Sequence, residues 1–430
     1  MKTFRYIIAL ILLAACTVVI AVGSVPAPIA GKVVDPQPQR FRWKDRIIKI
    51  AISTSLTKPN GNMKVDSDVN GAIRRSLQAW QDAADVEFQI SSVDRENVSP
   101  AGAAGDGVSL ITIAPTAENV LFMTNDAQAA SAKTRVFYDR KGFVTEADIV
   151  LSPFQQFSTD GTFGTFDLQS TLTHEIGHLL GLRHSGVMGA VMSDKLAKIG
   201  SLGFSDLGPR VLADSDIASI RDLYGVGKSN VECCATVTGK LSLPLGKSAK
   251  NIRVWAEDGL TGRVAAQTDV SPDGTFRLGG LPPGKHNLYW KTKSQSNGSS
   301  TGELGLVQAE SGETKILNQK ISLAQTVLAL DFLGVNGQLA ESGVSIETGR
   351  ETLIYLGGKG LNSKNVIVEV SSPFLHVVPL SAANQDFGDS VSVISLVVSV
   401  DSDTPPGVYS IFAKAEDGSK ASLIGALKVE

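Results

Sequence analysis

Eleven residues, His174 to His184, read HEIGHLLGLRH and hold three of the chain's five histidines. On a helix, positions i and i+4 share a face, so His174 and His178 can turn both imidazoles toward one point. Glu175 starts one residue further round, where its carboxylate reaches a water at that point. Gly181 can adopt the left-handed backbone that ends a helix and turns the chain back, which delivers His184 from outside the helix. Three nitrogen donors with a fourth position open are the donor set of a catalytic zinc. The competing reading is an accidental HExxH on a solvated helix. The full five-position pattern, in a chain so poor in histidine, weighs against it.

The motif with its third histidine, followed by a methionine-bearing turn, resembles the metzincin zinc metalloproteases. Ser185 directly follows the third histidine and Met192 lies eight residues beyond it, which is similar to the matrixin (matrix-metalloprotease-like) branch, bacterial type. That resemblance implies that Met192 is the structural Met-turn residue beneath the metal, while Met188 falls too early and is expected to pack in the loop. Leu212 to Gly225 resembles the closing helix of matrixin catalytic domains, with Ile217, Ile220 and Leu223 or Tyr224 at helical spacing, a cap at Asp214 or Ser215, and Gly225 as the stop. Ser215-Asp216 stands where matrixins carry two acids. The acid that braces the Met-turn is kept, and the acid that latches a mature N-terminus is absent. Ser193-Asp194 departs from the tyrosine-proline common there, so the resemblance implies no particular side-chain preference.

At 430 residues the expectation is several domains, and a net charge of -3 with no dense basic stretch excludes nucleic acid as a partner class. Lys2, Arg5 and the apolar run from Tyr6 to about Val22 form a targeting segment over residues 1–23. Three outcomes stay open: ordinary cleavage near Ala21-Val22-Gly23, lipidation at Cys16 within Leu13-Ala14-Ala15-Cys16, or an uncleaved membrane anchor. All place the protein outside the cytoplasm: secreted, periplasmic or on the cell surface. No cysteine lies between Cys16 and the motif, and residues 24–40 are a short linker, so a zinc-ligating propeptide cysteine of matrixin type is not expected. Cys233 and Cys234 are adjacent. A strained disulfide, free thiols, a partner's thiol or a metal remain alternatives for them.

Residues 41–226 are expected to form an α+β catalytic domain, a twisted mixed sheet plus helices. Residues 46–52 form a first strand. Val69, Ile73, Leu77 and Trp80 line one face of a helix capped by Asp66 or Ser67. Further strands are expected around Phe88 and Ile90, over 108–113, over 135–138 and over 146–151. The resemblance implies an antiparallel edge strand above the metal to which peptides add, sought at 132–138 with 120–124 as second choice. No histidine lies between Ser152 and His174, so one catalytic Zn2+ is expected and a second zinc is not. Asp160-Gly161 and Asp167 could be Ca2+ ligands, but acids beside glycine are commonly turn formers, and calcium stays unsupported.

After a linker at 227–235, two all-β sandwich domains are expected. Residues 236–325 resemble carboxypeptidase-regulatory-like domains through Ser271-Pro272-Asp273-Gly274-Thr275-Phe276 and Pro282-Pro283-Gly284. Residues 326–430 are similar to bacterial immunoglobulin-like modules through Pro405-Pro406-Gly407-Val408-Tyr409. His286 and His376 lack histidine neighbours and are taken as structural. The whole implies a secreted or surface-anchored zinc endopeptidase with His174, His178 and His184 as ligands and Glu175 as general base, acting on protein or peptide substrates. The β domains would supply a cell-surface or matrix target. The alternative is a noncatalytic adhesin or scaffold with a degenerate protease domain.

Overall fold

The computed structural model describes residues 14–15, 19–20, 40–102, 104–124, 130–201, 208–227, 233–244, 247–293, 299–323, 327–388 and 390–430. The leader read over 1–23, with Cys16, and the linker 24–40 lie outside the described residues apart from Ala14–Ala15, Val19–Ile20 and Arg40. No described helix is long and apolar enough to cross a membrane.

The first half of the chain builds a mixed sheet. Ile47–Ser53 turns Ile48, Ile50 and Ile52 into the core and pairs parallel with Glu87–Val93 on one side and Ser109–Thr112 on the other. Phe143–Leu151 extends the sheet in parallel, and Ala132–Tyr138 adds antiparallel to it across the turn at Gly142, whose φ is 86°. Beyond Ala132–Tyr138 the described residues place only Val19–Ile20, paired parallel with Arg135 and Val136. The strand at 132–138 is therefore the antiparallel one nearest the rim, with Val19–Ile20 rather than Ala132–Tyr138 outermost over Arg135 and Val136. The second choice, 120–124, falls mostly in the helix Ala117–Met123.

Two long helices cover one face of this sheet. Val69–Ala83 buries Ile73, Leu77 and Trp80, the stripe read from the 3.6-residue period. Its cap is Asp68 rather than Asp66 or Ser67. Asp68 Oδ1 accepts from the Gly71 amide at 2.8 Å, whereas Asp66 holds a positive φ of 68° within the preceding turn. Leu168–Leu179 is buried on every side, as expected of a helix enclosed by a sheet and a second helix. Trp80 Nε1 donates to the Thr173 carbonyl at 2.9 Å, tying the two helices together. Asp167 caps Leu168–Leu179 through the Ser170 amide at 2.7 Å and is held by Arg210 at 2.5 Å, while Asp160 accepts from Thr162 in its own turn.

Further along, strands between Ala235 and Lys320 form a three-stranded and a four-stranded sheet around a cluster that includes Val237, Val254, Phe276 and Trp290. Strands between Ala329 and Val429 form a six-stranded and a four-stranded sheet around Leu333, Ile354, Leu396 and Tyr409. His286 is buried with Nε2 2.9 Å from the Pro282 carbonyl, and His376 is exposed beside Asp401. Cys233 and Cys234 are joined in a disulfide, one of the alternatives left open for them.

These parts are packed into one another. The helix Asp214–Tyr224 gives Ile220 to the first core and Ala218 to the core of the next two sheets. Gly280 passes so close to Ala218 that a Cβ there would lie 1.9 Å from its carbonyl oxygen. A further buried cluster joins Val187, Ala190 and Ala213 to Trp255, Val264, Val408 and Ile424, so all three regions contribute to it. Met188 and Gly189 donate backbone hydrogen bonds to Ile424 and Gly425, both at 2.9 Å. The loop that follows His184 is thus clamped from outside the fold that carries it.

Candidate metal centre

Leu168–Leu179 carries His174 and His178 one turn apart, and both side chains are buried. The helix stops where the sequence indicated. Leu180 is the last near-helical residue and Gly181 takes φ 97°, a conformation that a side chain resists. Gly181 also abuts Phe41, whose carbonyl oxygen would sit 2.1 Å from any Cβ. Tyr224 Oη donates to the Leu180 carbonyl at 2.7 Å and Trp43 Nε1 to Leu179 at 2.9 Å, so the helix end is held by side chains from both ends of the first fold.

The reversal brings His184 back. Its Nε2 lies 3.1 Å from Nε2 of His178, and one ligand atom from each of the three histidines falls within a 4.8 Å group. The other ring nitrogens are engaged: His174 Nδ1 lies 2.7 Å from the Val191 carbonyl and His178 Nδ1 2.9 Å from Leu182. Each of these N–H groups donates to a carbonyl, which leaves the Nε2 lone pair facing the shared point. His174 Nε2 is buried with no protein partner. Burial pushes the His174 imidazole down to about 3 and lowers His178 and His184 too, so all three are neutral donors at pH 7. A tetrahedral cation preferring nitrogen, zinc above all, fits this donor set.

Glu175 is fully buried, and Thr134 on the edge strand donates to its Oε2 at 2.5 Å. Met192 is buried under the helix, its sulfur against Gly177, where a Cβ would lie 2.3 Å away. Asp216 braces this turn, accepting from the Val191, Met192 and Ala213 amides at 2.9, 3.2 and 2.9 Å, and burial pushes its carboxyl up to about 6. The closing helix is accordingly entered from Ala213, with Asp216 reaching back, rather than from a cap at Asp214 or Ser215. Met188 faces the third core and the cleft.

Thr134 and the Trp43–Tyr224 clasp escaped sequence reasoning. Thr134 stands 41 residues from Glu175 and nothing local in the chain marks it. The two-residue strands Ala14–Ala15 and Val19–Ile20 were equally unforeseen. They pair with Lys195–Leu196 and with Arg135–Val136, one on each wall of the site.

Comparison with known proteins points the same way. A relative from Glycine max, "Metalloendoproteinase 1", is 28% identical over 179 residues, which cover 38% of this chain and 48% of that protein. The chain thus spans about half the length of the curated relative it matches. Among solved structures, a Bacteroides ovatus mixed-linkage glucan utilization protein, SGBP-B, is 13% identical, covers 45% of this chain and 42% of its own, and superposes at a TM-score of 0.17. The major pilin subunit BcpA of Bacillus cereus is 10% identical over 45% of this chain and 69% of its own, also at 0.17. At those scores the superpositions carry no argument about fold. Residues 119–225, which hold the three histidines, Glu175 and Met192, match the sequence profile of the matrixin family, a family of metallopeptidases.

Proposed function

We propose that this protein is a zinc-dependent endopeptidase exported from the cytoplasm, with His174, His178 and His184 holding one zinc and Glu175 acting as general base. The observation that carries this reading is the convergence of three neutral imidazoles on one point beside a buried carboxylate. Zinc bound there supplies Lewis acidity, polarising the scissile carbonyl and acidifying water. Glu175 takes the proton from that water and returns it to the leaving amine, with Thr134 fixing the carboxylate's orientation. Backbone donors and acceptors of Ala132–Tyr138 bind the substrate as an added strand. Val19–Ile20 lies parallel along Arg135–Val136, so an extended segment fits beside that strand, and a substrate would take its place there. Residues 236–325 and 326–430 are proposed as two β-sandwich domains that position the protease on a surface or matrix.

Zinc content and cleavage of a diverse peptide library test the reading, wild type against Glu175→Gln. One equivalent of zinc in both proteins is expected, with cleavage lost by roughly 10²–10⁴-fold in the variant. Unchanged cleavage by the variant overturns the role of Glu175. Absence of zinc favours the noncatalytic adhesin or scaffold.

A further inference from the structure

The cleft in front of the histidines is not a feature of the first fold alone. It is a cavity of about 930 Å³ with His178 and His184 on one side, and with Arg253, Asp269, Lys291 and Lys293 from the second region and Asp331 and Phe332 from the third on the other. The charges on that far wall do not balance. Asp269 is shared, accepting from Arg253 Nε at 2.9 Å and Lys293 Nζ at 2.7 Å. Lys291 is half-buried, donates to the Ser422 carbonyl at 2.6 Å, and has Asp331 as its attracting acid. Three cations therefore face two carboxylates. The neighbouring pair, Lys195 with Glu341 at 2.8 Å, is neutral and joins the loop after Met192 to the third region. Burial, helped by the Arg253 guanidinium and opposed by Asp331, lowers the Lys291 ammonium to about 8.

We propose that the two C-terminal β regions form the specificity wall of the cleft, and that Arg253, Lys291 and Lys293 select peptides carrying an aspartate or glutamate close to the scissile bond. This rests on the peptidase reading for its substrate class. The wall itself is a binding surface whether or not bonds are cut. A carboxylate entering the cleft takes up the surplus charge through hydrogen bonds to an ammonium or guanidinium, which are about twice as strong as neutral ones. Arg253 also fills the space over Gly186, where a Cβ would collide with its guanidinium. Lys293, with a side chain 43% exposed, can be changed without disturbing that contact.

The test uses the full chain carrying Glu175→Gln, loaded with zinc, and fluorescent hexapeptides that differ only in Asp against Asn at each position in turn. Anisotropy is expected to show roughly tenfold tighter binding of the Asp peptide at one or two positions, weakening with salt. Lys293→Ala should shrink that ratio, and Lys293→Glu should abolish or invert it with zinc content unchanged. Equal binding of the Asp and Asn peptides, undetectable binding of both, or a ratio indifferent to Lys293→Glu overturns the proposal. Selective binding without any cleavage by the wild type upholds the wall and defeats the peptidase reading, so the two fail separately.

Discussion

Thr134 shows how much of a site can hang on one hydroxyl. Its Oγ1 donates to Glu175 Oε2 and also lies 3.2 Å from the Glu175 carbonyl oxygen, so a single side chain on the edge strand steers the carboxylate. Thr134→Val keeps the shape and removes the donor. Hydrogen bonds to charged groups contribute about 1.5–3 kcal/mol, so kcat is expected to fall by roughly tenfold or more while KM and zinc content hold. Thr134→Ser should restore it. Steady-state kinetics on the three proteins decides, and a loss confined to KM would refute the positioning role. The histidines and Gly181 could be read from the chain because helical period and turn chemistry are local rules, while Met192 was implied only by the matrixin resemblance. Thr134 could not, since its partnership with Glu175 exists only once a strand is laid across a helix.

The strand Ile252–Asp258 hides a buried acid of its own. Glu257 accepts from Trp255 Nε1 at 2.9 Å, and burial pushes its carboxyl from 4.5 up to about 7, against the opposing pull of Ser410 and Trp255. A raised acid pKa means that the native state binds the proton more tightly than the unfolded chain. The stability contribution is present in full below about pH 4.5 and is lost as pH climbs through about 7. Up to about 3 kcal/mol is at stake on a shift of this size. Glu257→Gln should lower the slope in that window without removing it, because burial also raises Asp148 to about 7 and Asp216 to about 6, and urea denaturation between pH 4.5 and 8 would reveal the difference. An unchanged slope would mean that Glu257 does not titrate there. At this scale strands and helices were largely legible, since alternation and the 3.6-residue period belong to neighbouring residues. Caps were less so: Asp68 and Ala213 displaced nearby candidates because tertiary contacts chose among several plausible starts.

Across the whole molecule, what escaped the sequence was the joining of its parts. The loop Ser185 to Met192 reads as an ordinary small-residue turn, yet Val187 and Ala190 are buried against Trp255, Val408 and Ile424. The trace it left was a pair of glycines: Gly186 and Gly189 have no room for a side chain because Arg253 and Val408 already fill it. Trp255 stacks on Tyr289 at 5.2 Å and lies 6.3 Å from Phe412, which makes it the keystone of that cluster. Trp255→Ala should cost about 3–5 kcal/mol, and calorimetry of the intact chain should show one transition moving down in temperature with earlier loss of zinc to a chelator. Two separate transitions in the wild type would show the regions to be thermally independent. The clamp on Met188 and Gly189 also bears on inheritance. Domains strung on a free linker can be traded between genes one at a time, but here an exchanged β region would arrive without the carbonyls of Ile424 and Gly425, and the turn beside the third histidine would lose its mooring. Exchange of one β region alone is therefore expected to loosen the turn beside the third histidine, however well the incoming region folds.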